Sequence, residues 1–368
     1  MEQTDKRALI AMSGGVDSSV AAFLMKERGY DIIGCTMKLY DNEMIGEAES
    51  GTCCSLTDSD DARAVCNRLG INHYVFDFSR DFEKQVIERF ARAYEEGRTP
   101  NPCIDCNRYL KFERLMRRAI ELDRDLVVTG HYAIRDYDAQ AGRYYLRKSR
   151  DLSKDQTYVL FSLTQEQLAH SFFPLGEMTK EETRRIAMEQ GFVNASKHDS
   201  QDICFVPDGD YAGFLTRYRG AEYPSGDFVD MDGKVLGHHK GIVAYTIGQR
   251  KGLRLALPQP MYVVEKDVPG NRVILGLNGD LMTRRFLVAD CNWMAVEKPF
   301  DGLTVEAKVR YSQTAAKARV HPLEGGMAEI EFAEPQRAIT PGQAAVFYDG
   351  DIVVGGGTIV RNSERKEI

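Results

Sequence analysis

Four short apolar runs, RALIAM, DIIGCTMKLY, HYVFDF and DLVVTGHY, lie within the first 135 residues, separated by stretches of helical spacing. The spacing predicts helices over Asp17–Arg28, with Val20, Phe23 and Leu24 on one face, and over Asp58–Leu69, Phe82–Tyr94 and Arg108–Leu122. Strands alternating with helices of this length require crossover connections, and these build a parallel, doubly wound α/β sheet. Sheets of that kind collect ligands beyond the carboxyl ends of their strands. SGG, Met37, GHY and the loop TPNPCIDCN (99–107) all follow strands or lie in connections, so they can meet there.

The texture then changes. RYYLRKSRDLSKDQTY (143–158) is basic and polar and reads as a long loop or ribbon; Thr164–Gly191 reads as helix. From about Asp227, short alternating strands with Asp-Gly, Gly-Asn and Gly-Gly turns predict a small β-rich module followed by a β-barrel. A chain of 368 residues exceeds one ordinary core. The expected division is a catalytic domain at 1–210, a central β-rich domain at 211–278 and a C-terminal barrel at 279–368. A net charge of −7 argues against a general nucleic-acid coat. A local basic set (Arg143, Arg147, Lys148, Arg150, Lys154) can still contact phosphates. No window is apolar enough for a signal segment or a membrane span, so a cytoplasmic protein with no membrane partner is expected. Eight cysteines in such a chain do not make a disulfide framework.

SGGVDSS (13–19) follows a strand and opens a helix. Glycines let backbone N–H groups approach an anion, and a helix N-terminus adds favourable partial charge. The lysine of a GxxxxGK[ST] loop is missing, and Asp17 takes an early helical position. It is either an ordinary cap, a group acting through Mg²⁺, or one that orients the loop. Cys103 and Cys106 are spaced for half a zinc site, a redox pair, cluster ligands, or a nucleophile with a neighbour. Cys204, in KHDSQDICFVPDGD, sits in a polar setting that suits a reactive thiolate, against the plainer reading of a small core residue. His238 and His239 invite a metal reading but have no nearby cysteine in sequence; Cys53-Cys54 reads as loop packing rather than ligation.

ALIAMSGGVDSSV, TMKLY, GRTPNPCIDCNRYLKF, TGHYA, SKDQTYVL, SQDICFV, YTIGQRKGL, VRYSQ and PGQAAVFYDGD together resemble the tRNA-specific 2-thiouridylases, within the ATP pyrophosphatase (PP-loop) superfamily. The resemblance spans nearly the whole chain. It implies an adenine nucleotide alpha hydrolase-like fold and an ATP-dependent replacement of the C2 oxygen of the wobble uridine (position 34) by sulfur, releasing AMP and pyrophosphate. It places ATP, with Mg²⁺, against Ala11, Met12, Ser13, Gly14, Gly15, Val16, Asp17, Ser18, Met37 and Gly130. It makes Cys204 the persulfide carrier and Cys106 its nucleophilic partner, with a 106–204 disulfide where Cys106 releases hydrosulfide. Asn101, Pro102 and Cys103 match a target-base stretch. Lys154, Asp155, Gln156, Arg310, Tyr311 and Gln343 match tRNA contacts, and His131 is a further candidate for RNA. The implied partners are tRNA, as Lys, Glu and Gln acceptors, and a sulfur donor such as a cysteine desulfurase or persulfide relay protein.

One position departs from the pattern. Many members have Asn-Pro-Asp-x-x-Cys, and here the aspartate position is Cys103. With Cys204 brought close, Cys103, Cys106 and Cys204 form a three-thiolate set that suits a [4Fe–4S] cluster, an alternative to the persulfide route. Zinc would need a fourth ligand. Two rivals remain: an amide-forming ATP pyrophosphatase, which has no need of Cys106 and Cys204, and a non-catalytic tRNA-binding adaptor.

Overall fold

The computed structural model describes residues 6–40, 56–197 and 203–361, so Cys53 and Cys54 lie outside the described residues. The first four strands are β1 (Arg7–Ala11), β2 (Asp31–Lys38), β3 (His73–Asp77) and β4 (Leu126–Val128); a fifth, β7 (Ser171–Phe172), joins them. They form a parallel sheet in the order β3-β2-β1-β4-β7. Helices α1 (Val16–Glu27) and α2 (Leu56–Leu69) follow the expected pattern. The chain leaves β1 toward β2 on one side and returns to β4 on the other, so the crevice between the loops after β1 and β4 is the topological switch point.

The helix expected over Thr164–Gly191 is instead two, Gln165–Ala169 and Lys180–Glu189, with β7 between them. Pro174 and Gly176 interrupt the run. Each new helix starts at its own capping box, Thr164 with Gln167 and Thr179 with Glu182.

The central module is a four-stranded sheet of β8 (Gly226–Val229), β9 (Val235–His239), β10 (Tyr262–Asp267) and β11 (Arg272–Gly276), in the order β10-β11-β8-β9. The C-terminal barrel comprises β12 (Met282–Trp293), β13 (Leu303–Lys308), β14 (Ala316–Leu323), β15 (Met327–Arg337), β16 (Ala344–Asp349) and β17 (Ile352–Val360), closed by pairing of β12 with β17. Phe286, Val305, Val320, Ile330, Phe332 and Phe347 fill it.

The stretch expected as a loop or ribbon contains a strand. A hairpin of β5 (Ile134–Asp138) and β6 (Arg143–Arg147) extends the barrel sheet, with Arg147 of β6 opposite Ile352 of β17. Arg143, Arg147, Lys148 and Arg150, expected at phosphates, are engaged here within the protein. Arg143 donates to the carbonyls of Trp293 (2.8 Å) and Met294 (3.2 Å), and Arg147 pairs with Asp136 (2.6 Å) and Asp351 (3.2 Å). Lys148 donates to the Gly350 carbonyl at 2.8 Å, and Arg150 pairs with Glu182 at 2.8 Å. Among the described residues no helix is long and apolar enough to cross a membrane.

All three parts of the chain meet at Lys266 of β10, which is 3% exposed. Its Nζ donates to the Tyr245 carbonyl at 2.9 Å and lies 5.7 Å from the centre of the Tyr94 ring. Burial, with Arg361 adding to it, pushes its pKa down to about 7. An unfolded lysine titrates near 10.4, so between about pH 7 and 10 the unfolded chain binds the extra proton and stability rises with pH. Below pH 7 both states are charged and the folded state carries the full desolvation penalty. Lys266→Met is expected to raise the melting temperature at pH 6 and to flatten the rise in stability toward pH 9. Thermal unfolding across that range checks it, and an unchanged profile would contradict it.

Candidate active site

The glycine loop turns immediately after β1. Met12 extends the strand through its N–H to the Cys35 carbonyl (2.7 Å), and its own carbonyl accepts from Thr36 Oγ1 (2.9 Å). Gly14 has φ +71°, a conformation that L side chains avoid. Ser18 Oγ donates to the Gly15 carbonyl at 3.1 Å and accepts from the Ser13 N–H at 3.2 Å, tightening the turn. Gly15 caps α1, whose first N–H groups lack intrahelical partners and so form an anion cradle. Ala11, Val16 and Ser18 pack behind it, Val16 and Ser18 fully buried.

Asp17 is held from the far side of the loop. Its carboxylate accepts from Lys180 Nζ at 2.7 and 2.8 Å and from Tyr132 OH at 3.0 Å. Gly130, after β4, closes on the same turn: a methyl group there would lie 2.7 Å from the Asp17 carbonyl carbon. Only glycine permits that approach. Met37, half-buried in β2, stands in register with Phe76 of β3. Thus the residues assigned to ATP gather at the carboxyl edge of β1, β2 and β4.

The cysteine loop follows the helix that ends at Glu95. Asn101 caps the short helix α3 (Pro102–Asp105), its Oδ1 accepting from the Cys103 N–H at 3.1 Å, with Pro102 at the first helical position. Cys103 is exposed and Cys106 is buried at the head of a π-helical stretch, Cys106–Arg114. Runs of i→i+5 bonding are rare and concentrate at functional sites. Tyr311 stands near Cys103: partial burial, Asp155 and Cys103 together raise its pKa. Its hydroxyl donates to the Asp155 carbonyl at 3.2 Å.

Cys204 is half-buried and packs against the core cluster that contains Cys106. Its carbonyl accepts from Tyr40 OH at 2.9 Å, just beyond the end of β2. The next residue, Phe205, makes edge contacts with Phe82 and Phe90, with centroids 5.7 and 5.2 Å apart. No disulfide joins the described cysteines. Among the described residues, which include Cys103, Cys106 and Cys204, no group of three or more His, Cys, Asp or Glu side chains is placed to hold a metal ion. The three-thiolate set is therefore not assembled in this geometry. His238 pairs with Asp227 at 2.7 Å, and His239 is buried against the Asn271 carbonyl at 3.1 Å.

The residues assigned to tRNA hold the protein itself together in this structure. Gln343 Nε2 donates to the Thr99 carbonyl at 2.7 Å, while the Thr99 N–H donates to the Pro341 carbonyl at 2.8 Å. Gln156 clamps Tyr132 through both its backbone N–H and its side-chain carbonyl, each at 2.9 Å. Asp155 accepts from Ser149 N–H (3.0 Å) and Thr157 Oγ1 (2.6 Å), and burial raises its pKa against the effect of those bonds. Arg310 donates to the Arg337 carbonyl at 2.5 Å, and Lys154 is half-buried one residue before Asp155. His131 is buried between Phe112 and Phe173, its Nδ1 2.7 Å from Thr129 Oγ1, and burial, with Lys111, holds its pKa well below the usual imidazole range. A cavity of about 280 Å³ separates the cysteine loop from the barrel, lined by Arg89, Arg98, Asn101, Asp105, Gly342 and Thr358 among others. Sequence reasoning passed over Tyr40, Tyr132, Lys180, Asn194 and Lys197. Tyr40 ends the TMKLY motif, and Lys180 follows the Thr179 capping box; those were the available signals.

The parallel sheet with its glycine loop, followed by two β-modules, defines an adenine nucleotide-binding α/β protein of the HUP class. Family models described as "tRNA methyl transferase HUP domain", "tRNA methyl transferase PRC-barrel domain" and "Aminomethyltransferase beta-barrel domain" match residues 6–208, 212–277 and 283–359. The tRNA-specific 2-thiouridylase MnmA of Lachnoclostridium phytofermentans is 50% identical over 97% of this chain and 100% of its own length. That of Heliobacterium modesticaldum is 51% identical over 97% and 93%, and that of Acetivibrio thermocellus 50% over 96% and 99%. The chain belongs to the tRNA-specific 2-thiouridylase family.

Proposed function

We propose that this protein is an ATP-dependent sulfurtransferase that converts the wobble uridine of tRNA to 2-thiouridine through a persulfide on Cys204. The observation that carries the reading is the anchoring of the Cys204 segment just beyond the end of β2, where its carbonyl accepts from Tyr40 OH at 2.9 Å, in the sheet whose β1 runs into the glycine loop. ATP supplies the adenylate that turns the uridine O2 into a leaving group. The cradle at Gly14, Gly15 and the α1 N-terminus suits its phosphates, with Asp17 fixing the turn. Mg²⁺ would accompany the phosphates.

Sulfur reaches Cys204 from a persulfide donor protein. The terminal sulfur then attacks C2 and AMP leaves, and the Cys106 thiolate attacks Cys204 Sγ, breaking the S–S bond to free the 2-thiouridine and leaving a 106–204 disulfide. Alternatively, the Cys106 thiolate attacks the sulfur of Cys204, releasing hydrosulfide for C2 and leaving a 106–204 disulfide that cellular thiols reduce. Asn101, Pro102 and Cys103, of which Cys103 is exposed, would meet a base extruded from the anticodon loop, where unstacking is cheap. The domain division 1–210, 211–278 and 279–368 is retained as part of this reading. No step is assigned to a cluster, because the three thiols are not gathered.

Mass spectrometry of wobble uridine from tRNA incubated with protein, ATP, Mg²⁺ and a persulfide donor tests the function; no gain of sulfur would overturn it. Cys103→Asp distinguishes the routes. The persulfide reading expects thiolation within about threefold of wild type, because the third thiol is not used. Loss of turnover together with loss of protein-bound iron in Cys103→Asp would instead establish the cluster.

A further inference from the structure

Behind the glycine loop, one short stretch of chain grips the Gly14 carbonyl. Asn194 is 3% exposed, and its Nδ2 donates to that carbonyl at 2.9 Å and to Ser19 Oγ at 2.9 Å. Lys197 Nζ reaches the same carbonyl at 3.5 Å. Its main partners are the carboxylates of Asp58 and of Asp61 (2.9 Å) in the first turns of α2. Burial opposes its charge, but Asp58 and Asp61 prevail and raise its pKa. The Asp58 side chain is only 3% exposed, so Lys197 neutralises a carboxylate that water barely reaches. The loop lies directly on that turn: a methyl group on Gly14 would sit 2.7 Å from Asp58 Cα. The gripping stretch follows α4 (Lys180–Glu189) and leads within seven residues of Lys197 to Cys204.

The consequence follows from peptide geometry. The Gly14 carbonyl and the Gly15 N–H share one trans peptide plane and point in opposite directions. Drawing the carbonyl inward toward Asn194 and Lys197 turns the Gly15 N–H outward, toward the mouth of the anion cradle. Among the described residues the buried Oδ1 of Asn194 has no hydrogen-bond partner.

We propose that Asn194 and Lys197 are positioning residues of the phosphate loop, setting the Gly14–Gly15 peptide for ATP from the stretch of chain that continues to Cys204. The proposal rests on the ATP-binding reading above. Asn194→Asp keeps the shape but sets a carboxylate oxygen against the Gly14 carbonyl, and Lys197→Met removes the charge from a partly exposed site. Titration calorimetry with MgATP is expected to show each variant binding at least about tenfold more weakly than wild type, a change of about 1.4 kcal/mol. In steady state, KM for ATP rises while kcat changes little. Lys197→Arg, which keeps the ion pairs, stays within about threefold of wild type.

Circular dichroism melts confirm that each variant is folded before titration. A merely structural role would lower the melting temperature and leave the ATP affinity of the folded protein alone. ATP affinity within about twofold of wild type in either folded variant would overturn the proposal. If wild-type protein itself fails to bind MgATP, the ATP reading falls and the proposal falls with it. Thiolation that fails despite normal wild-type ATP binding would count against the sulfur chemistry alone.

Discussion

Cys204→Ser is expected to abolish the gain of sulfur in wobble uridine, by at least about a hundredfold, while leaving the fold and the ATP affinity unchanged. A serine hydroxyl cannot carry a persulfide, so nothing replaces the lost carrier. The fold is insensitive because the segment is anchored elsewhere, through the Cys204 carbonyl on Tyr40 and through Phe205 among Phe82 and Phe90. Mass spectrometry of the tRNA, beside MgATP titration, reads both halves of the expectation. Turnover within about threefold of wild type would remove Cys204 from the chemistry and favour an amide-forming relative that uses the same loop.

The second large effect comes from the far end of the chain. Gly342, in the barrel, has φ +92°, and a methyl group there would stand 2.9 Å from the Thr99 N and 3.0 Å from the Arg98 Cβ. Gly342→Ala therefore forces either the barrel turn or the cysteine loop to move. The left-handed conformation alone costs about 1–2 kcal/mol for an L residue. Displacing the loop that holds Asn101, Cys103 and Cys106 matters more, since a shift of about 1 Å can cost about a hundredfold in rate. The expected result is a kcat for thiolation lower by about ten- to a hundredfold, with MgATP affinity unchanged. Unaltered kcat would mean that the loop is set from within the first domain alone.

These two sites also mark what could be read from the chain by itself. The turn from β1 through Gly14 into α1 declares itself locally, as do the alternating strands of the barrel. The contact of Tyr40 with Cys204 does not: it joins residues 164 apart and ends on a backbone carbonyl, which has no side-chain signature. The grip of Asn194 on Gly14 is of the same kind, across 180 residues. Arg143, Arg147, Lys148 and Arg150 looked like phosphate contacts because charge is visible in sequence, whereas most of the carbonyls and carboxylates that receive them come from the end of β12, the β16–β17 turn and α4, with Asp136 of β5 the one near in sequence. His131 looked available at a strand end, but the rings enclosing it come from residues 112 and 173. Pro174 and Gly176 carried a local signal for the break before α4, and the helical spacing around them masked it.

The joining of β6 to β17 has a consequence for how the protein is made. The ribosome releases the β5–β6 hairpin early, yet the strand that joins its edge at Arg147 is synthesised about 200 residues later. At translation speeds of about 5–20 residues per second, that edge waits roughly 10–40 s for its partner. Meanwhile it presents unpaired backbone groups to any passing strand. Every nascent chain passes through this interval, and a chain truncated before Ile352 never leaves it.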